Sequence, residues 1–466
     1  MTDSDETSWM LDAIGKYGNN TAIIENEKEI TYFDLRRLID HSRLKLETFG
    51  ITAGSRVALI GDFSATSVSL IISLINMHAV IVPLTEVSAR RQATLLEICA
   101  AEFVIDATQN RGISETVFSK WDLNDSNRAN HEFFKILANR NHPGLILFTS
   151  GSTGEPKAVV HDFVALLSKF KKVGKPLKTL NFLLFDHWGG LNTLFHTLMS
   201  GGTVACPTQR SPDYICALIA RYKLELLPAS PSFLNLALVS GSFKRFDLSS
   251  LKLITYGAEP MPSSTLKRLR RELPNVELRQ TYGLIELGVL RAKSENSDSL
   301  LVKIGGEGYE IRVANGLLEI KAESTMLGYL NAPSPFTDDG YFKTGDRVEI
   351  HGEYLRILGR ESEQINVGGE KVFPNEIEEV LLDCELVLDS VVYGQKHPIS
   401  GNIVCADIVL KNSSQDQPAA RVLIRKHCNA SLESFKVPVK IQFVEGPLTN
   451  SRQKRVRIGR GEHQND

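Results

Sequence analysis

The sequence lacks a disulfide or zinc framework, an excess of charge of one sign and an apolar run of membrane length. Only six of its 466 residues are cysteine and no two form a CxxC pair, so we expect reduced, mostly buried thiols in a cytoplasmic protein. A net charge of -2 gives no overall attraction to nucleic acid or to an anionic membrane. The first residues, MTDSDETSW, are acidic and polar, unlike a signal or transit peptide.

The longest apolar stretch, SVSLIISLINMHAVIVPL, is interrupted by Asn76 and His78. We interpret it as a buried helix that leads into a strand, and we predict no membrane span. The segment EITYFDLRRLIDHSRLKLETFGI begins as a strand and continues with helical spacing. The apolar face predicted for that helix consists of Leu35, Leu38, Ile39, Leu44 and Leu46.

The order of apolar segments predicts an α/β fold. Runs such as SRVALIGD, AVIVPL, GGTVACP, LELLPASP and LKLITYGAEP alternate with helical segments, which is typical of parallel sheets covered by helices. Near residue 300 the pattern changes to short strands with Gly and Asn-Gly turns, which predicts a small antiparallel β region. We place a domain boundary near Arg360, with a large N-terminal domain at 1–359 and a smaller α+β domain at 360–466.

The stretch TSGSTGEPK follows the apolar run GLILF and has the composition of a loop that wraps an anion. Small side chains let successive backbone N–H groups converge on phosphate oxygens, and a lysine adds a positive charge. This is not the Walker pattern, because the lysine follows proline and precedes an extended run. A flexible surface loop is the alternative. The candidate phosphate-binding residues are Thr149, Ser150, Gly151, Ser152, Thr153, Gly154 and Lys157.

The segment ILFTSGSTGEPKAVVH resembles the signature loop of the adenylate-forming ANL superfamily, which includes acyl- and aryl-CoA ligases, luciferases and peptide-synthetase adenylation domains. Four further segments resemble motifs of that family in the same order: YGAEP, TYGLIE, GYFKTGD and LGRESEQINVGGEKVFPNEIE. The resemblance covers nearly the whole chain. It implies a C-terminal domain that turns about a hinge at Ser362.

The resemblance also implies roles for individual residues. The YGAEP turn, with Gly257, Ala258 and Glu259, would lie against the adenine, and Tyr282 would stack near that base. Glu286 would hold Mg²⁺, while Asp346 would accept hydrogen bonds from both ribose hydroxyls, assisted by Arg360. These residue types suit the chemistry, because a carboxylate attacking the α-phosphate of ATP needs neutralisation of negative charge.

The segment LTNSRQKRVR resembles the closing motif of the family and makes Lys454 the candidate catalytic cation. Gln453 stands where glycine is usual, and a frayed basic tail is the alternative interpretation. Ile285 replaces the threonine that usually precedes the metal-binding glutamate. These two departures prompt a third hypothesis, a nucleotide-binding regulator or a degenerate homologue.

The segment LLFDHWGGLNTLFHTLMSGG can be aligned with the family in two registers. One makes Asp186 an anchor for a substrate amine, and the other, which needs no insertion, makes His187 the gate residue of acyl-CoA ligases. The second register resembles small aryl and o-succinylbenzoate CoA ligases. Gly368 and Gly369 fit either an extended strand along which pantetheine passes or a β-hairpin turn. The candidate substrate and CoA residues are His187, Trp188, Gly189, Tyr256, Gly283, Gly368 and Gly369.

The resemblance therefore implies an ATP-dependent acid–thiol ligase that forms acyl-AMP and then a thioester of coenzyme A. Its cofactors would be ATP, Mg²⁺ and CoA, with Lys454, His187 and Glu286 as catalytic residues. The alternative is an adenylation enzyme that loads an acid or amino acid onto the phosphopantetheine arm of a carrier protein. The pocket residues do not specify the acid.

Overall fold

The computed structural model describes residues 6–109, 112–123, 126–150, 155–306, 308–398, 401–412, 414–446 and 448. Its helices are α1 (Trp9–Gly15), α2 (Tyr32–Thr48), α3 (Ala65–Asn76), α4 (Ala89–Ile98), α5 (Glu132–Arg140), α6 (Phe163–Leu167), α7 (Trp188–Met199), α8 (Pro212–Tyr222), α9 (Pro231–Val239), α10 (Ser242–Arg245), α11 (Ser263–Glu272), α12 (Pro374–Asp383) and α13 (Gln417–Ser431).

The strands of the first half are β1 (Thr21–Glu25), β2 (Lys28–Thr31), β3 (Arg56–Ile60), β4 (Val80–Leu84), β5 (Phe103–Asp106), β6 (Val117–Lys120), β7 (Gly144–Ser150), β8 (Pro156–Asp162), β9 (Lys178–Leu180), β10 (Thr203–Ala205), β11 (Leu226–Ala229), β12 (Leu253–Tyr256) and β13 (Glu277–Gln280). Those of the second half are β14 (Gly283–Leu284), β15 (Gly288–Val289), β16 (Ala292–Ser294), β17 (Leu301–Ile304), β18 (Tyr309–Ala314), β19 (Leu317–Ala322), β20 (Gly328–Tyr329), β21 (Phe342–His351), β22 (Tyr354–Arg360), β23 (Ile365–Val367), β24 (Glu370–Val372), β25 (Val387–His397), β26 (Gly401–Leu410) and β27 (Lys440–Phe443).

Two seven-stranded sheets form the N-terminal part of the molecule. The first has the order β13-β12-β11-β9-β10-β1-β2 and is parallel except for β2. The second has the order β20-β8-β7-β4-β3-β5-β6, with a parallel centre and antiparallel strands at both edges. The predicted parallel sheets are therefore confirmed, and the two outer strands beside β7 are the addition that the βαβ pattern did not indicate.

Helix α3 lies in the core, as predicted from its apolar composition. Every residue from Ala65 to Ile75 is buried, and the chain continues into the buried strand β4. A helix that is apolar on all sides is stable only where other elements cover it on all sides. Its N-terminus is capped by Ser64, whose hydroxyl accepts a hydrogen bond from the Ser67 N–H at 3.1 Å.

The predicted antiparallel region is a six-stranded sheet of order β16-β17-β22-β21-β19-β18. It packs on a core cluster that includes Leu318, Ile320 and Phe342. Its strand β21 carries Asp346, and its strand β22 ends at Arg360. This sheet therefore presents two of the predicted site residues on neighbouring strands.

The smaller C-terminal part contains β23 to β27, covered by α12 and α13 around a separate core cluster. It contacts the preceding part near the end of β22, where Asn375 donates a hydrogen bond to the Leu358 carbonyl at 3.2 Å. The predicted fold class, with a large N-terminal and a smaller C-terminal domain, is confirmed. The boundary near Arg360 and the mobility of the second domain stay predictions.

The six cysteines are buried and free of disulfide bonds, as predicted. Among the residues that the structure describes, every helix is too short or too polar to span the hydrocarbon core of a bilayer.

Candidate active site

The predicted phosphate loop joins β7 to β8, which run antiparallel with Thr149 opposite Lys157 and Ser150 opposite Pro156. The lysine is the second residue of the extended strand β8 and no helix starts there, as the sequence predicts. Four of the predicted phosphate-binding residues, Gly151 to Gly154, lie outside the described residues. The structure therefore gives the two strands that hold the ends of the loop.

Lys157 is held in place by a segment far away in the sequence. The amide of Asn331 donates to the Pro156 carbonyl at 2.9 Å and accepts from the Ala158 N–H at 2.9 Å, so it fixes the backbone on both sides of the lysine. The ammonium group of Lys157 lies 5.4 Å from the centroid of the Tyr329 ring, within the range of a cation–π contact.

Glu286 lies in the turn between β14 and β15, not on a helix face. Its Oε1 atom accepts a hydrogen bond from the Tyr329 hydroxyl at 2.9 Å. Gly283, at the start of β14, pairs with Val289. The turn therefore places the carboxylate beside the tyrosine that also contacts Lys157.

Asp346 is buried and forms the centre of a polar cluster with buried Tyr282 and exposed Arg360. Its Oδ2 accepts from the Tyr282 hydroxyl at 2.6 Å, and its Oδ1 lies 3.4 Å from Nε of Arg360. Burial raises the pKa of Asp346 above its ordinary value, while the charge of Arg360 and the Tyr282 hydrogen bond oppose that rise. The charge of Glu286 also raises the pKa of Asp346, so the two carboxylates interact electrostatically.

The YGAEP turn follows β12 and is closely packed. A Cβ atom on Gly257 would lie 2.6 Å from Oγ1 and 2.7 Å from the carbonyl oxygen of Thr281, so only glycine fits this approach. Ala258 has a φ of 69°, a left-handed conformation that costs about 1 kcal/mol or more for a residue with a Cβ and that occurs often at functional sites. Tyr256 is only 1% exposed and packs in the core; its predicted substrate contact stays a prediction.

A cleft lies between this turn and the C-terminal part. Glu259 lies at the cleft and accepts a hydrogen bond from the Ser232 hydroxyl at 2.6 Å. Gln280 also lines it, is 8% exposed, and has an Oε1 atom with no hydrogen-bond partner in the described part of the chain. The lining residues are Pro231, Ser232, Glu259 to Pro262, Gln280, Leu300, Arg356 to Leu358, Asn375, Glu376, Glu378 and Glu379.

The cleft and the Asp346 cluster are connected by two short pieces of chain, one after the end of β13 and one within β22. Gln280 is separated by one residue from Tyr282, and Leu358 is separated by one residue from Arg360. A planar group in the cleft would therefore lie next to the Asp346 carboxylate.

His187 is the N-cap of α7, and its Nδ1 accepts from the Gly189 N–H at 3.1 Å. This bond assigns the proton of a neutral imidazole to Nε2. Trp188 is 1% exposed and packs edge-on against Phe163 in the largest core cluster. Asp186, the residue of the other register, is buried and accepts from the Thr85 hydroxyl at 3.1 Å.

Gly368 and Gly369 form a two-residue hairpin turn between β23 and β24, with φ values of 61° and 98°. The expectation of an extended strand at this pair is wrong, and the hairpin interpretation is correct. The physical reason is that positive φ at both central positions matches the twist of an antiparallel pair, and glycine adopts it without strain. A role of the two glycines in CoA binding stays a prediction.

Comparison with known proteins decides the family. The model of the family "AMP-binding enzyme" matches residues 11–330, more than half of the chain, and the model "AMP-binding enzyme C-terminal domain" matches residues 376–453. The chain belongs to the AMP-binding enzymes. This confirms the resemblance to the adenylate-forming ANL superfamily.

Long-chain-fatty-acid–CoA ligase FadD13 of Mycobacterium tuberculosis is 26% identical over 455 residues, which cover 89% of this AMP-binding enzyme and 89% of the relative. The 2-succinylbenzoate–CoA ligase of Listeria monocytogenes is 25% identical, over 94% and 95% of the two chains. The solved structure of anthranilate CoA ligase AuaEII in complex with anthranoyl-AMP matches with a TM-score of 0.79 at 19% identity, over 96% and 95% of the chains. That structural likeness shows the fold.

Glu286 is the residue of this AMP-binding enzyme that is predicted to bind Mg²⁺. Among the described residues, no group of three or more His, Cys, Asp or Glu side chains could hold a metal ion. Mg²⁺ commonly binds through one or two carboxylates together with substrate phosphates and water. Glu286 has a carboxylate in the turn between β14 and β15, and its role as a metal ligand stays a prediction.

Sequence reasoning missed Gln280, Tyr329, Asn331 and His161, whose Nε2 lies 2.7 Å from the Ile285 carbonyl oxygen. Two of them carried a signal, because Gln280 lies two positions before the tyrosine of the TYGLIE motif and His161 ends the segment ILFTSGSTGEPKAVVH. Lys454 lies outside the described residues, and its catalytic role stays a prediction.

Proposed function

We propose that this chain activates a carboxylic acid with ATP to an acyl-AMP and then transfers the acyl group to the thiol of coenzyme A. The observation that carries the proposal is the cluster of buried Asp346 and Tyr282 with the exposed Arg360, beside the cleft that contains Gln280. The Asp346 carboxylate has a fixed orientation and could bind a ribose, and the cleft next to it could hold the planar base.

The described residues support one placement of the nucleotide. The unpartnered Oε1 of Gln280 would accept from the amino group of adenine, since a buried acceptor without a donor is unfavourable. An ionised carboxylate has about four acceptor positions, so Asp346 can accept from two ribose hydroxyls in addition to Tyr282 and Arg360. The triphosphate would then extend toward Lys157 and Glu286.

The first half-reaction joins a carboxylate oxygen to the α-phosphorus of ATP and breaks the bond to the bridging oxygen, so that pyrophosphate leaves. Lys157, with the loop that precedes it, would bind the β- and γ-phosphates, and Lys454 would neutralise charge between the carboxylate and the α-phosphate. Mg²⁺, held through Glu286, would supply further positive charge at the phosphate oxygens. Loss of one electrostatic contact of this kind lowers the rate by roughly 10²- to 10³-fold.

In the second half-reaction the thiol sulfur forms a bond to the acyl carbon, AMP leaves, and the thiol proton is released. We assign CoA as the acceptor because relatives named CoA ligases match nearly the full length of the chain. His187 would act at the entrance of the acid pocket, with Trp188 and Gly189 beside it. The free cysteines and the supply of ATP and CoA favour a cytoplasmic location.

Pyrophosphate release across a panel of aliphatic, aromatic and amino acids, each with and without CoA, tests the proposal. We expect release with at least one acid and formation of an acyl-CoA when CoA is added. A parallel arm with a holo carrier protein distinguishes the acceptors. Thioester formation on the carrier but not on CoA would overturn the assigned acceptor, and no release with any acid would overturn the ligase activity.

Lys454→Ala tests the assignment of the catalytic cation. We expect loss of acid-dependent pyrophosphate exchange by roughly 10²- to 10³-fold, with thioester formation from supplied acyl-AMP largely retained. Lys411→Ala, which changes an exposed lysine of the same domain, is the matched control. Equal loss of both half-reactions in Lys454→Ala would contradict the assigned role.

A further inference from the structure

The turn that carries Glu286 is held at three consecutive carbonyl groups, those of Ile285–Leu287. The first carbonyl oxygen lies 2.7 Å from Nε2 of His161, the second accepts from the Met326 N–H at 2.8 Å, and the third accepts from the Ser324 hydroxyl at 2.7 Å. The donors come from β8 and from the segment just before β20. The backbone of this turn is therefore fixed by the strand that begins at the phosphate loop and by its neighbour.

The side chain of Glu286 is held by Tyr329, the second residue of β20. The Tyr329 hydroxyl donates to Oε1 of Glu286 at 2.9 Å, and the ammonium group of Lys157 lies 5.4 Å from the centroid of the same ring. Burial, followed by the negative charge of Glu286, raises the pKa of Tyr329, so the hydroxyl keeps its proton and donates. One aromatic side chain thus contacts the anionic and the cationic residue assigned to the triphosphate.

Tyr329 is itself fixed to β8. Residue 329 pairs with Val159, the Leu327 N–H donates to the Val160 carbonyl at 2.8 Å, and the Leu330 N–H donates to the Ala158 carbonyl at 2.9 Å. Asn331 adds hydrogen bonds to the backbone on both sides of Lys157. Together these bonds join the segment around Tyr329 to β8 from the start of that strand to its middle. The tyrosine therefore has a defined position relative to the end of the phosphate loop.

We propose that Tyr329 is a positioning residue that orients Glu286 through its hydroxyl and Lys157 through its ring, and so couples the metal-binding and phosphate-binding sides of the site. This inference rests on the proposed function. Partners that orient a metal-binding carboxylate affect metal affinity, and their loss costs about 10- to 100-fold. The ring contact acts on a residue that binds phosphate directly, so the hydroxyl and the ring have separable effects.

Isothermal titration calorimetry of ATP at a series of Mg²⁺ concentrations separates the two effects. Tyr329→Phe keeps the ring and removes the hydroxyl, so we expect the Kd for ATP in the absence of Mg²⁺ to change less than threefold. The Mg²⁺ concentration for half-maximal enhancement of ATP binding should rise about tenfold. Tyr341→Phe is the matched control, because its hydroxyl also donates to a glutamate, Glu310, at 2.8 Å, and that glutamate has no assigned role.

Tyr329→Leu removes both contacts, and we expect several-fold weaker Mg²⁺-free ATP binding in addition to the shifted Mg²⁺ requirement. A purely structural role would lower the melting temperature of both variants and leave the Mg²⁺ dependence of the remaining folded protein unchanged. That result, or equal loss of Mg²⁺-free binding in both variants, would overturn the inference. Absence of ATP binding by the unsubstituted protein would instead overturn the proposed function.

Discussion

Asp346 and Arg360 face each other in register on the neighbouring strands β21 and β22, with Nε of the arginine 3.4 Å from Oδ1 of the aspartate. The other carboxylate oxygen accepts from Tyr282, which comes from a different part of the chain. The sheet pairing and the tyrosine together set the direction of the carboxylate. Because the side chain is only 9% exposed, it cannot turn toward solvent without breaking these contacts.

The first prediction concerns Asp346→Asn. The substitution keeps the shape and one acceptor oxygen, and it removes the charge that favours two ribose hydroxyls. Hydrogen bonds to charged groups contribute about 1.5–3 kcal/mol, so we expect the Kd for ATP to rise roughly 10- to 100-fold. Calorimetric titration with ATP measures this.

Asp339→Asn is the matched control for that measurement, because Asp339 pairs with Arg312 at an exposed position before β21. We expect its ATP affinity to equal that of the unsubstituted protein. If Asp346→Asn bound ATP as tightly as the control, the ribose assignment would be wrong.

The second prediction concerns Gln280 and the adenine amino group. The unsubstituted protein should bind ATP about fivefold more tightly than purine riboside triphosphate, which lacks that amino group, since one hydrogen bond contributes about 1 kcal/mol. Gln280→Leu should bind both nucleotides with nearly equal, weaker affinity. Competition binding measures the ratio of the two dissociation constants. If this ratio were the same in the unsubstituted protein and in Gln280→Leu, Gln280 would not accept a hydrogen bond from the adenine amino group.

The sequence predicted the architecture, and its motifs named residues that the structure brings together. The alternation of apolar runs predicted parallel strands such as β3, β4 and β12, because a buried parallel strand and its crossover helix leave strong local patterns. Tyr282 and Asp346 were both identified from motifs, although 64 positions separate them. What joins them is tertiary packing, because Tyr282 lies in the same core cluster as Phe342 and Val348 of β21, and the residues of either motif alone do not specify that contact.

Tyr329 and Asn331 could not be found from local patterns. Strand β20 has two residues, too few for any periodicity, and the hydrogen bond from Asn331 to Pro156 spans 175 positions.

Leu44 shows a different limit of prediction from the sequence. We predicted it on the apolar face of α2, but it is 63% exposed, whereas Leu35 is fully buried. Nine helical positions separate them, which places them about 180° apart around the helix at 3.6 residues per turn.

The third prediction concerns Gly257→Ala. Its Cβ would approach Thr281 to 2.6 Å, so the YGAEP turn must shift and the cleft beside it must change shape. Overpacking of this kind costs about 1–3 kcal/mol of stability, and we expect a lower melting temperature together with weaker ATP binding. Gly15→Ala, at the end of α1 where a Cβ would meet no atom within 4 Å, is the control and should leave ATP binding unchanged. Unaltered affinity in Gly257→Ala would show that this turn does not contact the nucleotide.

The last prediction concerns stability in acid and His161. Burial lowers the pKa of His161 from 6.5 to about 4, so in the folded protein it stays neutral where an unfolded chain would bind a proton. Its contribution to stability is therefore complete above pH 6.5 and is lost as the pH falls from 6.5 toward 4, by about 2 kcal/mol at pH 5.

His161→Gln keeps an N–H that can donate to the Ile285 carbonyl and does not titrate. We expect the melting temperature of the unsubstituted protein to fall more between pH 7 and pH 5 than that of His161→Gln, while His41→Gln, which changes an exposed histidine of α2, should behave like the unsubstituted protein. If the melting temperatures of all three proteins fell equally between pH 7 and pH 5, His161 would bind a proton as readily in the folded state as in the unfolded chain.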